Sequence, residues 1–149
     1  MRAIVQRVSS ASVTVAGEIV GEIGNGFLIL LGVAKEDSNA DADYILSKVV
    51  GLRVFDDSEG KMNLSLADTG GEMLVVSQFT LYGDTRRGNR PSFIRAAGGD
   101  SALALYEYFV EKARRFVATV EIGKYGAMMD VEILNDGPVT IILDSEKTI

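Results

Sequence analysis

Neither histidine nor cysteine occurs anywhere in the 149 residues. Without imidazole or thiol there can be no Ser-His-Asp or Cys-His machinery, and no zinc site built from those ligands. Carboxylates could still hold Mg²⁺, but no tight Asp/Glu cluster stands out in the sequence, so neither a metal nor a cofactor is expected. Hydrolytic chemistry is left with backbone dipoles, hydroxyls, a shifted carboxylate or lysine, or a group on the substrate. Long apolar runs are also missing. The longest, Phe27 to Leu31, falls far short of the roughly 20 residues a membrane span needs, and no membrane partner is expected. The opening Met1-Arg2-Ala3-Ile4-Val5-Gln6-Arg7 carries charges that interrupt a secretory apolar region, so cytoplasm is the expected location.

Proline is scarce while hydrophobic residues make up 47%, which suits an ordered globule. The length fits one domain, residues 1–149, large enough to bury a core. A net charge of −6 runs against a general nucleic-acid binder, for which a basic footprint is the rule. Positive charge is nonetheless concentrated at Arg86, Arg87, Arg90 and Arg95, and again at Lys112, Arg114 and Arg115. The ordinary reading of such runs is a solvated face. If RNA is bound, the expected contact is with a short end rather than a long groove.

Taken in order, Arg2 to Val8 alternates as a strand, with Ile4 and Val8 on one face. Ser12–Val15 and Glu18–Ile23 flank Ala16-Gly17 as a hairpin, and Phe27 to Val33 reads as a buried strand. Ser38 or Asn39 caps a helix running to about Val50, with Ile45, Val49 and Leu52 on its apolar stripe. Met62-Asn63-Leu64 suits a short edge segment, and Asp68 to Gly71 a loop. Asp100 is the expected cap of the longest helix, to roughly Ala118, with Ala102, Tyr106, Phe109, Ala113 and Phe116 as its core stripe. Val117–Ile122, Met129–Leu134 and Val139–Leu143 close the chain as strands. About eight strands and two helices result. Two helices cannot cover both faces of a large sheet, so some strands must fold over as a second layer.

The rest of the chain is organised around Met73 to Leu81. Met73 to Val76 suits a core strand, but Ser77, Gln78 and Thr80 then interrupt the apolar run. A buried strand that turns polar at its carboxyl end commonly opens into a crevice. Backbone amides of residues 77 to 80 facing that crevice can hold a developing oxyanion, an effect of roughly 3–4 kcal/mol per donor. The Thr80 hydroxyl could act as a nucleophile, but no base lies near it in sequence.

Ser77-Gln78-Phe79-Thr80-Leu81, Arg87-Gly88-Asn89-Arg90-Pro91-Ser92-Phe93 and Asn135-Asp136-Gly137-Pro138-Val139-Thr140, with Gln6-Arg7-Val8 and Gly60-Lys61-Met62-Asn63, resemble the D-aminoacyl-tRNA deacylase family. The resemblance spans nearly the whole chain. It implies an α/β domain of three layers, helices on sheet on sheet, and a homodimer with shared active sites. It also implies hydrolysis of the ester in D-aminoacyl-tRNA, and of glycyl-tRNA, at the terminal adenosine. By the same resemblance Ser77, Gln78, Phe79 and Thr80 form the catalytic edge, and the RNA 2′-hydroxyl shares in catalysis. Gly137-Pro138 is implied to be a cis pair that enters the other subunit's site, leaving no room for an L side chain. Met129 and Tyr125 are implied to line the pocket, although a phenylalanine is commoner at the Tyr125 position, and Arg7 to brace the Gly-Pro carbonyls. Taken on their own residues, Met129 and Tyr125 are equally suited to core packing, Arg7 to a strand surface, and Gly137-Pro138 to an ordinary loop.

A rival of another class is a non-catalytic module binding a nucleotide or small ligand at the same crevice. The missing histidine and the acidic charge favour it; the paired Ser-Gln-Phe-Thr and Gly-Pro motifs do not.

Overall fold

The computed structural model describes residues 1–149. It contains eight strands: β1 (Arg2–Val15), β2 (Glu18–Ile23), β3 (Gly26–Gly32), β4 (Phe55–Asp56), β5 (Met62–Leu64), β6 (Glu72–Ser77), β7 (Val120–Ile122) and β8 (Asp130–Asp144). Three α-helices, α1 (Asn39–Gly51), α2 (Leu66–Thr69) and α3 (Gly99–Ala113), and a 3₁₀ turn over Phe79–Tyr82 complete the fold.

β1 is the spine. Its first half pairs antiparallel with β3 (Arg2↔Gly32 through Val8↔Gly26), and its second half pairs with β2 (Ala11↔Ile23 through Val15↔Glu18). β8 runs along its other edge for almost the whole length. β3, β6 and β7 are parallel neighbours. The single hydrogen-bonded sheet therefore folds back on itself at β1. Leu28, Leu74 and Val76, on one face of β3 and β6, pack against Ala11, Val13 and Ile23 of the β1–β2 half. On the opposite face Phe27, Ile29, Leu31, Met73 and Val75 meet Ile45 and Val49 of α1 and Tyr106 and Phe109 of α3. Period-two alternation along β3 and β6 thus divides one apolar run between two cores, giving helices on sheet on sheet. Gly21 lets β2 pass close over β7: a Cβ there would come within 2.4 Å of the Ile122 carbonyl oxygen.

α1 starts where expected. The Ser38 backbone N–H is bonded to the Asp41 carboxylate, and the two side chains meet as well, a reciprocal cap of the kind that serine followed by an acid three residues on favours. Several expectations are corrected. Arg2–Val8 and Ser12–Val15 are one strand, and so are Met129–Leu134 and Val139–Leu143. Long-range pairing with each other carries both through the serines and through Gly137-Pro138, with the register shifting between Gln6 and Ser10 to absorb the irregularity. α3 is preceded by Gly98 rather than capped by Asp100. Gly99, at φ +60°, makes the turn that begins the helix two residues earlier than the aspartate would have. α3 also ends at Ala113, where a tight turn through Val117 follows, and leaves Phe116 58% exposed rather than in the core stripe. The segment expected as a loop at Asp68 begins inside a single helical turn that Ser65 caps through Asp68 N–H.

Candidate active site

β6 ends at Ser77, and the chain then turns through Phe79–Tyr82 instead of extending. The Gln78 amide donates to the Leu31 carbonyl at 2.8 Å, so it is not free to serve a ligand. The amides of Phe79 and Thr80 open the 3₁₀ turn, where no acceptor inside the turn can reach them. Ser77, Gln78 and Phe79 line a cleft of 590 Å³ together with Tyr125, Met129 and a wall running from Phe93 to Ala96–Gly98. The Gly126–Met129 loop after β7 forms the opposite side. Gly123 makes room for it, because a Cβ at that position would lie 2.8 Å from the Met129 sulfur. The Tyr125 hydroxyl donates to the Gly99 carbonyl at 3.3 Å, tying this loop to the start of α3. Its ring lies 6.0 Å from that of Tyr106, whose buried hydroxyl donates to Val75 in β6 at 2.8 Å. Burial raises the Tyr106 phenol to about 12, so it stays protonated as a donor.

The cleft is apolar apart from Ser77, Gln78 and Tyr125, with no carboxylate or amine along its lining. The Thr80 hydroxyl meets only the Gln78 carboxamide. No general base is in reach of it, which leaves hydroxyls and main-chain N–H groups as the polar equipment of this edge. Phe79 and Phe93 stand edge-to-face at 5.0 Å. Both are exposed, Phe79 at 53%, and they form an aromatic lip. Phe93 lies in one of the recognisable motifs, but nothing in its sequence setting points to the lip.

The remaining candidates are elsewhere in the same chain. Between the pairs Val8↔Asn135 and Gln6↔Thr140, β8 makes an excursion opposite Arg7 alone. Gly137 and Pro138 are exposed on this excursion and joined by a cis peptide. Asn135 clasps its base, its side-chain amide donating to the carbonyls of Arg7 at 2.9 Å and Val139 at 3.1 Å. Arg7 is 8% exposed. Its Nε donates to the Asp136 carbonyl at 2.9 Å and its Nη1 to the Val54 carbonyl at 2.6 Å. The bond therefore goes to the residue before the Gly-Pro pair, not to the Gly137 or Pro138 carbonyls. Asp56 and Asp136 carboxylates stand 3.7 and 3.5 Å from the guanidinium. Asn135 and Asp136 were legible only as neighbours of Gly-Pro; their clasping role depends on β1 being alongside. The candidate residues thus fall in two separate places on the chain. Ser77, Gln78, Phe79, Tyr125 and Met129 converge on the cleft, whereas Thr80, Arg7, Gly137 and Pro138 are absent from its lining, Thr80 lying one residue beyond Phe79 in the 3₁₀ turn. Arg7 borders a separate polar hollow at the amino-terminal ends of β3 and β6, with Asn25, Glu72 and Asp136.

Comparison with known proteins agrees with this architecture. The family model described as D-Tyr-tRNA(Tyr) deacylase matches residues 4–144. A D-aminoacyl-tRNA deacylase of Symbiobacterium thermophilum is 60% identical over 148 residues, covering 99% of this chain and 98% of the relative. Among solved structures, a c-Myc DNA unwinding element binding protein superposes with a TM-score of 0.92 at 44% identity, covering 97% of this chain and 98% of the other. A probable eukaryotic D-amino acid tRNA deacylase gives 0.81 at 16% identity, covering 95% and 97%, and shares the fold. The chain belongs to the D-Tyr-tRNA(Tyr) deacylase family, a family of hydrolases.

Proposed function

We propose that the protein hydrolyses the ester of D-aminoacyl-tRNA, and of glycyl-tRNA, releasing the amino acid and free tRNA, and that it works as a homodimer in which each protomer completes its partner's cleft. The observation that carries this reading is the split of the site. The cleft is bordered by the edge that carries the donors, while the Gly137-Pro138 excursion, clasped by Asn135, is exposed and contributes nothing to its own chain's cleft. A two-fold pairing is self-complementary, so an excursion that enters the partner's Ser77–Thr80 edge is matched by the partner's excursion entering this one. Exposed Ile133 and Leu134 on β8 offer apolar surface to bury in such a pairing.

In the dimer, the acyl group of the terminal adenosine lies between Met129, Tyr125 and the excursion. The Phe79 and Thr80 amides face the carbonyl oxygen and stabilise it as negative charge develops, at roughly 3–4 kcal/mol per donor. Water attacks the carbonyl carbon. The bond to the ribose oxygen then breaks, and the adjacent 2′-hydroxyl of the RNA relays the proton in place of a protein base. Ser77 and Gln78 hold the geometry of this edge. Main-chain carbonyls of Gly137 and Pro138 accept the substrate's amino group and occupy the volume an L side chain needs. Selection is by exclusion, and glycine passes because it has no side chain to exclude. Arg7 sets the excursion's position through Asp136.

The test is hydrolysis of D-tyrosyl-tRNA and L-tyrosyl-tRNA at equal enzyme concentration. Hydrolysis of the D ester alone is expected. Comparable rates on both, or turnover of neither, would overturn the proposal.

A further inference from the structure

Beside the cleft, on the other side of the same 3₁₀ turn, lies a surface that the chemistry above does not use. Phe79 begins the turn and faces the cleft, while Tyr82 ends it and is buried beneath two adjoining hollows of 540 and 460 Å³, walled mainly by arginine and hydroxyl side chains. The guanidiniums of Arg2 and Arg95 stack on the Tyr82 ring, 4.7 and 5.6 Å from its centre. Such stacking fixes a planar cation in place and leaves its edge for ligands. Arg2 donates one N–H to the Leu81 carbonyl at 3.1 Å, and its Nε is buried without a partner.

The loop between Gly83 and Ser92 adds three more cations. It is closed by a two-bond bridge between Asp84 and Ser92. Asp84 holds Arg86 in a bidentate pair, and the adjoining guanidinium keeps this carboxyl well below the usual range. Arg95 pairs with Glu146 at 2.5 Å. Arg87 and Arg90 are exposed, and neither takes part in any ion pair of the chain. Arg2, Arg86, Arg87 and Arg95 line the hollows, with Arg90 exposed on the same loop; the carboxylates around them are Asp84, Asp144, Glu146 and Asp37, the last paired with the Met1 ammonium. A local excess of positive charge persists in a chain whose net charge is −6. The other basic run offers less: Lys112 and Arg114 are paired with Asp43 and Glu111, which leaves Arg115 as its one unpaired cation.

We infer that this arginine surface receives the phosphodiester backbone of the RNA whose 3′ end occupies the cleft. The inference rests on the deacylase reading and adds where the rest of the nucleic acid lies. Phe93 lines the cleft while Ser92, Ile94 and Arg95 line the basic hollow, so a strand leaving the cleft over the aromatic lip runs onto the arginines within a few residues. Arg87, which lines the hollow near Asp84, and Arg90, exposed on the same loop, take part in no ion pair and so carry charge that the fold does not need. Arg2 and Arg95, immobilised on Tyr82, give the surface a fixed shape. Contacts of this kind position a backbone without reading bases, which suits an enzyme acting on many tRNAs.

The experiment uses an uncharged RNA hairpin with a duplex stem and a single-stranded 3′ end, labelled at its 5′ end. Its binding is followed by fluorescence anisotropy between 50 and 200 mM KCl. The double variant Arg87→Gln, Arg90→Gln is expected to bind about tenfold more weakly at low salt, and its slope of log affinity against log salt is expected to fall by about one per arginine removed. Its hydrolysis of D-tyrosyl-adenosine, which has no phosphodiester, should be unchanged. Arg115→Gln, outside this surface, should bind as wild type. Unchanged affinity and slope in the double variant would overturn the inference, as would equal losses on the adenosine ester or no binding by the wild type. Arginine-dependent binding by a wild type that hydrolyses neither D ester would leave this surface standing and remove the deacylase reading instead.

Discussion

Replacing Arg7 by methionine keeps most of the volume and removes the guanidinium that joins three parts of the chain. Val54 is 8% exposed, and its carbonyl loses the donor at 2.6 Å. Leaving a buried acceptor unpaired costs about 1–3 kcal/mol. The Asp136 carbonyl, on the exposed excursion, regains a water and loses little. The Asp56 and Asp136 carboxylates are about half exposed, at 56% and 52%, so their pairs with Arg7 are screened and contribute at most about 1 kcal/mol each. Relief of the desolvation of a nearly buried cation offsets part of the loss. The net destabilisation is about 2 kcal/mol, which for a domain of this size lowers Tm by about 4–8 °C. With no tryptophan in the chain, unfolding is best followed by far-UV circular dichroism in urea and on heating. The midpoint should fall with the urea m-value unchanged. Arg7→Lys keeps the charge but not the fork that reaches two carbonyls, so it should fall between the two. The D-over-L selectivity should drop in the same order, because the excursion loses its tether at Asp136. A Tm within about 1 °C of wild type for Arg7→Met, or full selectivity in that variant, would refute the bracing role.

Gly137→Ala places a Cβ 2.1 Å from the Val139 nitrogen and 2.8 Å from the Asn135 side-chain oxygen, so the excursion must move. Being exposed, it can swing outward at about 1–2 kcal/mol of stability, while the ratio of D to L hydrolysis falls by about tenfold or more, equivalent to about 1.4 kcal/mol; paired urea melts and deacylation rates measure both. Tyr106→Phe removes the buried hydroxyl from Val75, whose carbonyl keeps the Gly123 N–H at 3.2 Å, so the expected loss is about 1 kcal/mol, read as a shift in urea midpoint. Asp144 is buried, which opposes its charge, but hydrogen bonds from Thr148 and from the Glu146 and Thr148 amides prevail and hold its pKa below the ordinary value. A lowered folded-state pKa contributes stability that is present above the unfolded value and lost as pH falls through the folded one. Melting temperatures should therefore be level above about pH 4 and decline below it, and Asp144→Asn should show a shallower decline.

Elements whose identity depends on neighbours in sequence were legible. The apolar runs of β3 and β6 read as buried strands, Ser38 announced α1, and the hairpin at Ala16-Gly17 formed where a turn pair stood between two alternating segments. The break from valine to Ser77-Gln78 marked a cleft edge, and Met129 and Tyr125 do reach that cleft. What was not legible depends on distant pairing. Serines at 9 and 10 and the Gly137-Pro138 pair look like ends of strands, yet β1 and β8 continue through them because each supplies the other's hydrogen bonds. Asp100 looks like a cap only if Gly99 is not already turning the chain. The Arg7 contacts to Asp136 and Val54 join residues 129 and 47 positions apart, a relation no local spacing displays. The 3₁₀ turn after β6, which frees the Phe79 and Thr80 amides and engages that of Gln78, follows from Leu31 lying opposite in β3.

The claim on which the account turns is that discrimination is supplied in trans. A heterodimer can be prepared from one wild-type protomer and one carrying both Met129→Trp, which fills its cleft, and Gly137→Ala, with distinct carboxyl-terminal tags because the Met1 ammonium is paired with Asp37. Its only working cleft is the wild-type one. Measured on L-tyrosyl-tRNA, that cleft should hydrolyse the L ester, because the excursion it receives is the altered one; strict retention of D selectivity would place the filter in the same chain as the cleft and contradict the account.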